Sequence, residues 1–465
     1  MSLFYASWNF YKEFIRLYRI HKIIKDIRNN PEQQNINVNK LENLHKIILE
    51  GGSIYIKCAQ WFISHISYDK RYKHIVDYFY HLFEHCPSQT LHESDEIYYK
   101  ATNRHMAEDI NIDTIKEIGS GSIGTVYCAE SITDGKKIAL KIKHPYINNE
   151  LEDKRLIISI IRKLQNINWF RKYFNLCFDL DDFINNIYLQ TDFRIEAENM
   201  KKMQENYKSN KCIVIPHVLY SHNNILITEY IDTFLVEELG DYEKNLIAIN
   251  LVCLVNQMCL VDNFIHGDLH CKNWKVRRCP INGNLQIVLF DMGICFSMAD
   301  VQLAQNFWES LEDGNPEKIM NIIRKLCISQ IPLEINKELD TLFHDMSINK
   351  IDSTVILTNL LNYFAEHNLK IYPYATNMLI MICLIENFLK NNGFIQHENK
   401  YRNIFSIIQA SRIDILSYCE CYNSYPEVLI IIKNKIHKYS HNTNNSHNTN
   451  VLILKSPEEN INEEQ

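Results

Sequence analysis

The sequence predicts an α+β molecule of two lobes, a small one built on five strands and a larger one of helices, preceded by an all-helical extension. Three observations predict it. Apolar residues recur at helical spacing from Leu41 to about Arg104. The period then shifts toward two across Ile112 to Ile118, Thr125 to Glu130 and Lys137 to Lys143. From Val236 onward the pattern returns to helix, broken only by short strands around Trp274 to Val276 and Gln286 to Phe290.

The opening segment, Ser2 to Arg28, sets Trp8, Phe10, Tyr11, Phe14, Leu17 and Tyr18 among basic residues at roughly helical spacing, with no signal-peptide cleavage region. Packing on its own protein is the first expectation, and peripheral contact with a partner or membrane surface the other. A polar linker, Asn29 to Asn39, separates it from the helical extension, whose pattern is interrupted near Pro87. The Asp134-Gly135 turn and a glycine-rich turn join the first three strands as antiparallel neighbours. A long helical stretch, Asn149 to about Tyr207, precedes two further strands, Cys212 to Leu219 and Asn224 to Ile231. The most apolar run, Ile247 to Val261, contains Asn250, Asn256 and Gln257 and reads as a buried core helix. The expected units are 1–40, an N-terminal helix and linker; 41–110, the helical extension; 111–231, the small lobe; 232–436, the large lobe; and 437–465, an Asn-, Ser- and His-rich tail that ends acidic and is expected to be disordered.

At 465 residues, with 46% hydrophobic and 23% charged residues, the chain is a globular protein able to bury a large core. A net charge of -7 argues against nucleic-acid binding, which rests on clustered Lys and Arg. Fourteen cysteines without a CxxC pair favour reduced, buried thiols over disulfides or structural zinc. His266, His270 and Cys271 lie close together but lack zinc-ligand spacing.

Chemistry concentrates in three places. Gly119, Gly121 and Gly124, with Ser120 and Ser122 between them, form a GxGxxG between two strands, where missing side chains let backbone amides approach a phosphate. Alone, such a triplet also fits a glycine-rich hairpin. Val126 then stands where a side chain packs on a nucleotide base, and Ala139 and Lys141 fall on the strand that carries a phosphate-binding lysine. A strand after the glycines, rather than a helix, disfavours a dinucleotide site. Downstream, His266-Gly267-Asp268-Leu269-His270-Cys271-Lys272-Asn273 sets an aspartate five residues before an asparagine. In a kinase catalytic loop the aspartate orients or deprotonates an attacking hydroxyl and the asparagine oxygen ligates Mg2+. Eighteen positions on, an apolar strand delivers Asp291-Met292-Gly293, a metal-binding Asp-x-Gly with Met in place of Phe. One carboxylate and one amide suit magnesium, which prefers oxygen ligands and bridges phosphates.

Beyond this kinase-like core the chain resembles the UbiB / aarF-domain-containing kinase (ADCK) family of atypical kinases. Lys57-Cys58-Ala59-Gln60, after Gly51-Gly52, is similar to the family's Lys-x-Gly-Gln. Gln190-Thr191-Asp192, followed by Glu196-Ala197, is similar to its Glu-x-Asp and Glu-Ala, and Leu311 to Leu326 resembles its Gly-Asp/Asn-x-Glu helix. The resemblance covers roughly Leu41 to Ile436. It implies a bilobal protein-kinase-like fold, binding of ATP and Mg2+, and a link to isoprenoid-quinone metabolism in a mitochondrial or membrane-linked setting.

By the same resemblance Glu196 pairs with Lys141, while Lys57, with Gln60 beside it, reaches into the cleft, meets Asp192 and restricts large substrates. Gln190 stands where the family has Glu, so Lys57 is expected to have one carboxylate partner rather than two. The family commonly has an alanine-rich loop where this chain has glycines, which restores a close phosphate cradle. Gly267 replaces the Arg of conventional kinases, so no side chain there receives an activation-loop phosphate. Chain order makes Glu229 to Ile231 the adenine-binding hinge. The phosphate acceptor, whether protein, lipid-like or small molecule, is not legible. Two other readings remain open: a small-molecule phosphotransferase of the aminoglycoside or choline kind, which shares the His-Gly-Asp-Leu-His loop, and a nucleotide-dependent scaffold without turnover.

Overall fold

Helical periodicity ahead of the first strand becomes, among the described residues, six helices: α1 (Leu3–Asn29), α2 (Val38–Gly51), α3 (Ser53–Ile66), α4 (Lys73–Phe79), α5 (Leu91–Thr102) and α6 (Met106–Asp109). The computed structural model describes residues 3–29, 38–66, 73–79, 86, 88–165, 167, 180–270, 272–298, 302–303, 306, 316–328, 330–348 and short stretches between 359 and 434. Most of the expected linker, together with Pro87, Cys271, residues 311–315 and the tail from 437, lies outside the described residues.

Helices α1 to α4 share a core of their own, in which Ile23 of α1 packs with Leu41, Leu44, Ile47, Ile56, Ile63, Ile75 and Phe79. The opening helix therefore does pack on its own protein. Its aromatic side, Trp8, Tyr11 and Tyr18, is exposed. Thr90 and Glu93 form a reciprocal capping box that starts α5, so this helix is positioned by its own first turn before it packs.

Strands β1 (Ile110–Ser120), β2 (Gly124–Ser131) and β3 (Lys137–Lys143) follow as expected. Among the described residues three helices stand where the single helical stretch was expected: α7 (Ile147–Leu164), α8 (Leu180–Gln190) and α9 (Phe193–Tyr207). The predicted strand Cys212 to Leu219 divides into β4 (Ile213–Val214) and β5 (Val218–His222). Pro216 falls at the break, where a residue without an N–H cannot continue a ladder. With β6 (Ile225–Glu229), the small lobe's sheet runs β1-β2-β3-β6-β5, all neighbours antiparallel.

Strand alternation gives this sheet two different faces. Tyr127, Leu140, Ile142, Ile225 and Ile227 face a core shared with Ile97 and Tyr98 of α5. Val126, directly opposite Lys141, and Ala139, two residues from it, fall on the other face.

In the large lobe, α10 (Asp241–Asn256) continues through a wider turn to Val261. It is long and apolar enough to cross a membrane, but it sits inside the molecule's largest core, with Leu251, Cys253, Leu254 and Met258 fully buried. Strand β7 (Ile265–His266) pairs with β10 (Cys295–Phe296), and β4 joins β9 (Leu285–Leu289) and β8 (Trp274–Arg278) in a sheet ordered β4-β9-β8. The small-lobe prediction for Ile213 and Val214 is thereby corrected: they extend the large lobe's sheet by pairing parallel to Ile287 and Val288. Helices α11 (Pro316–Leu326) and α12 (Leu333–Ile348) follow in the large lobe.

Candidate active site

Lys141 leaves the cleft face of β3 and meets helix α9, where Glu196 is buried in the first turn. Its Nζ donates to both carboxylate oxygens of Glu196, at 2.9 and 2.7 Å, and stands 3.5 Å from Asp291 Oδ1. Burial works against the charge on Lys141, but the two carboxylates outweigh it and hold the ammonium above its ordinary pKa. Burial likewise opposes ionisation of Asp291. The positive field of Lys141 and then Lys57 wins, so the carboxyl lies well below the usual range. Asp291 also has φ +50°, a left-handed conformation that non-glycine residues rarely adopt. Such strain persists where the surroundings fix it, and here they do. Asn199, one turn beyond Glu196, donates its amide to the carbonyl of the fully buried Met292 at 2.8 Å.

The pairing of β7 with β10 brings the catalytic loop beside the segment that follows Asp291. His266 joins the two: its Nδ1 accepts from the Asp268 backbone N–H at 3.1 Å and its Nε2 donates to the Phe290 carbonyl at 3.0 Å. One neutral tautomer satisfies both bonds. The Asn273 amide nitrogen donates to the Asp268 carbonyl at 2.8 Å, which fixes the orientation of its side-chain amide. Gly267 donates to Ile294 O, and a Cβ at Gly267 would lie 2.7 Å from the Ile294 side chain, so the missing Arg has a steric reason as well. Burial holds His270 neutral, its pKa lowered despite Asp268 at 3.7 Å.

The glycine loop spans the turn between β1 and β2. Added Cβ atoms at Gly119 would meet open space, whereas at Gly124 one would lie 2.4 Å from Ile142 O, so Gly124 is required for the close approach of β2 to β3. His144 braces the loop through Gly121 O at 3.0 Å. At the far side of the cleft, Glu229 ends β6, where its N–H donates to His217 O, while Ile231 is buried two residues on.

Lys57 does enter the cleft, but its ion-pair partner is Asp268, at 3.9 Å. The expected contact with Asp192 is corrected. Asp192 is the N-cap of α9, accepting from the Arg194 N–H, and it pairs with the Arg194 guanidinium at 2.6 Å, so local capping consumes its carboxylate. Gln190 donates to Asn186 O, and its side chain lies so close to Gly293 that an added Cβ would fall 3.2 Å from Gln190 Cγ. It lines the metal loop instead of partnering Lys57. Gln60, one turn beyond Lys57, accepts from Ser122 of the glycine loop at 3.3 Å.

The structure thus brings Lys141, Glu196, Asp291, Asp268, Asn273 and Lys57 together. The residues for magnesium are a carboxylate held ionised and an oriented amide oxygen, a donor set that fits the ion. Motif reading placed His266 in the catalytic loop without a role and gave none to Asn199 or His144, which act through contacts that local sequence does not encode.

Residues 81–323, more than half of the chain, match the ABC1 atypical kinase-like domain. The ABC1 family protein MCP2 of Saccharomyces cerevisiae is 29% identical over 63% of this chain and 55% of its own length. The AarF domain-containing protein kinase 1 of Gallus gallus is 24% identical over 53% and 48%, so the chain spans about half the length of these curated relatives. Among solved structures, the Rv3197–erythromycin complex from Mycobacterium tuberculosis aligns at 15% identity with a TM-score of 0.43, over 69% of this chain and 84% of that one. With its sheet, catalytic loop and metal loop in this order, the chain belongs to the ABC1 atypical kinase-like family.

Proposed function

We propose that the protein binds Mg-ATP and transfers or hydrolyses the γ-phosphate. The observation that carries this reading is the three-way cluster of Lys141, Glu196 and Asp291, a fixed cation between two carboxylates from different elements. Lys141 would hold the α and β phosphates, with Glu196 fixing its position. Val126 and Ala139 would pack on the base, and the backbone from Glu229 to Ile231 would bind its edge. Gly119 and Gly121 leave room for phosphate beside the loop. Asp291 and Asn273 would hold magnesium, which would supply positive charge to offset that of the phosphates. Asp268 would orient the acceptor hydroxyl or a water and take its proton as the phosphoryl group moves and ADP departs, while His266 keeps the loop in register with the metal side. Family membership supports a role linked to isoprenoid-quinone metabolism, in a mitochondrial or membrane-linked compartment.

The test is Mg-ATP turnover by the purified chain beside Asp268→Ala, with detergent or lipid present. Loss of turnover with binding retained is the expected result. Binding without any turnover in the wild-type protein would favour the scaffold reading, and transfer to aminoalcohols that disappears in Asp268→Ala would favour the small-molecule phosphotransferase.

A further inference from the structure

Helix α3 crosses the cleft and touches both of its walls. Lys57 meets Asp268 of the catalytic loop, and Gln60, three residues later on the same helical face, meets Ser122 of the glycine loop. Ile56 and Ile63 pack this helix into the core of the extension, and a tie to α7 lies at its start. The first N–H groups of a helix have no partner within it. In α3 two of these, on Ser53 and Ile54, donate to the two carboxylate oxygens of Glu150, at 3.0 and 3.2 Å. Glu150 belongs to α7, which follows directly on the strand that carries Lys141.

Three further observations mark this contact as built. Lys154, one turn along α7, pairs with Glu150 at 2.7 Å, and both side chains are about nine-tenths buried, at 8% and 10% exposure. Gly52, just before α3, has φ +81°, and a Cβ there would lie 2.5 Å from the Glu150 carboxylate. Only glycine satisfies both the turn and the close approach. Tyr55, in the first turn of α3, has Lys154 at 5.6 Å and Arg16 at 5.5 Å from its ring, and its hydroxyl donates to Glu13.

We propose that Glu150 is a positioning residue: by clamping the start of α3 it holds Lys57 on Asp268 and Gln60 on the glycine loop, coupling the extension to the site. The effect on turnover rests on the Mg-ATP reading above, whereas the clamp itself does not. Lys57 contributes one long contact to Asp268, too little to fix the register of α3 against the cleft, so that register depends on the clamp. Release of Glu150 would free the catalytic aspartate and the glycine loop together.

The experiment uses the full chain and an amine-acylating reagent, with modification of Lys57 and Lys141 followed by mass spectrometry. In Glu150→Ala, Lys57 should be modified at least about tenfold faster, the factor implied by losing hydrogen bonds to a charged group. Lys141 should be unchanged. Glu150→Gln, which keeps an acceptor but not the charge, should give a smaller rise, and it serves as the readout if the alanine variant does not fold. A folded variant with the wild-type Lys57 rate overturns the proposal. In turnover, Glu150→Ala and Lys57→Met should change the rate by the same factor, and the double variant should add nothing. Additive effects would mean a merely structural role and also overturn it. Absence of nucleotide binding in every form would instead contradict the Mg-ATP reading, and the labelling result would still decide the clamp.

Discussion

Lys141 and Lys57 reach the same cleft from opposite directions, the first on a strand of the small lobe's sheet and the second on a helix of the extension. Lys141 is bonded to Glu196 at 2.7 and 2.9 Å, with Asp291 at 3.5 Å. Lys57 faces only a 3.9 Å contact with Asp268. The first pair is part of the fold, since Glu196 is buried and would be costly to leave without its partner. The second is set from behind, by a clamp whose residues never touch the cleft. The charge on β3 is therefore built in, while the contact to Asp268 comes from an element of the extension.

This contrast can be broken most forcefully at Lys141. Lys141→Met leaves Glu196 buried beside Asp291 without its bonded cation and should cost about 3 kcal/mol or more in urea unfolding, along with nucleotide binding. A stability within about 0.5 kcal/mol of wild type would show that the pair is not part of the fold. His266→Ala comes next. It unpairs the Asp268 N–H and the Phe290 carbonyl and should cost about 2 kcal/mol, with turnover falling more than nucleotide affinity. Equal losses in both would argue against a role in aligning the catalytic loop. Lys57→Met should shift unfolding by no more than about 1 kcal/mol, because a single long ion pair contributes little. A loss as large as that at Lys141 would erase the distinction between the two lysines.

Much of this was legible in the sequence, for identifiable reasons. Gly119, Lys141, Asp268, Asn273 and Asp291 stand at spacings set by short strands and loops, so their chemistry survives in linear order. Glu196 was reached only through family resemblance, since a lone glutamate in a helix gives no local sign of burial. Lys57's partner was misassigned because Asp192 lies just before a helix and is used as its cap, a local demand that overrode the expected long-range pair. Pro216 was visible, yet its consequence was not: Ile213 and Val214 leave the small lobe to pair with a strand more than seventy residues later. Glu150 contacts Ser53 across 97 positions, and nothing in either segment announces the other.

The smallest expected effect is on pH dependence. Burial lowers the pKa of both His270 and His144 in the folded chain. The unfolded chain therefore binds more protons below about pH 6.5, and stability, complete above that pH, should decline as the pH falls. His144→Asn should flatten this slope in urea unfolding between about pH 7 and 5, and an unchanged slope would remove His144 from the account.

The central claim, that the Lys141, Glu196 and Asp291 cluster is a magnesium-nucleotide site, is tested most directly by calorimetric titration of ATP into the wild-type chain and Asp291→Asn, with and without magnesium. Magnesium should tighten binding to the wild-type protein, and the Asp291→Asn variant should lose that dependence altogether. The same affinity and the same magnesium response in both proteins would contradict it.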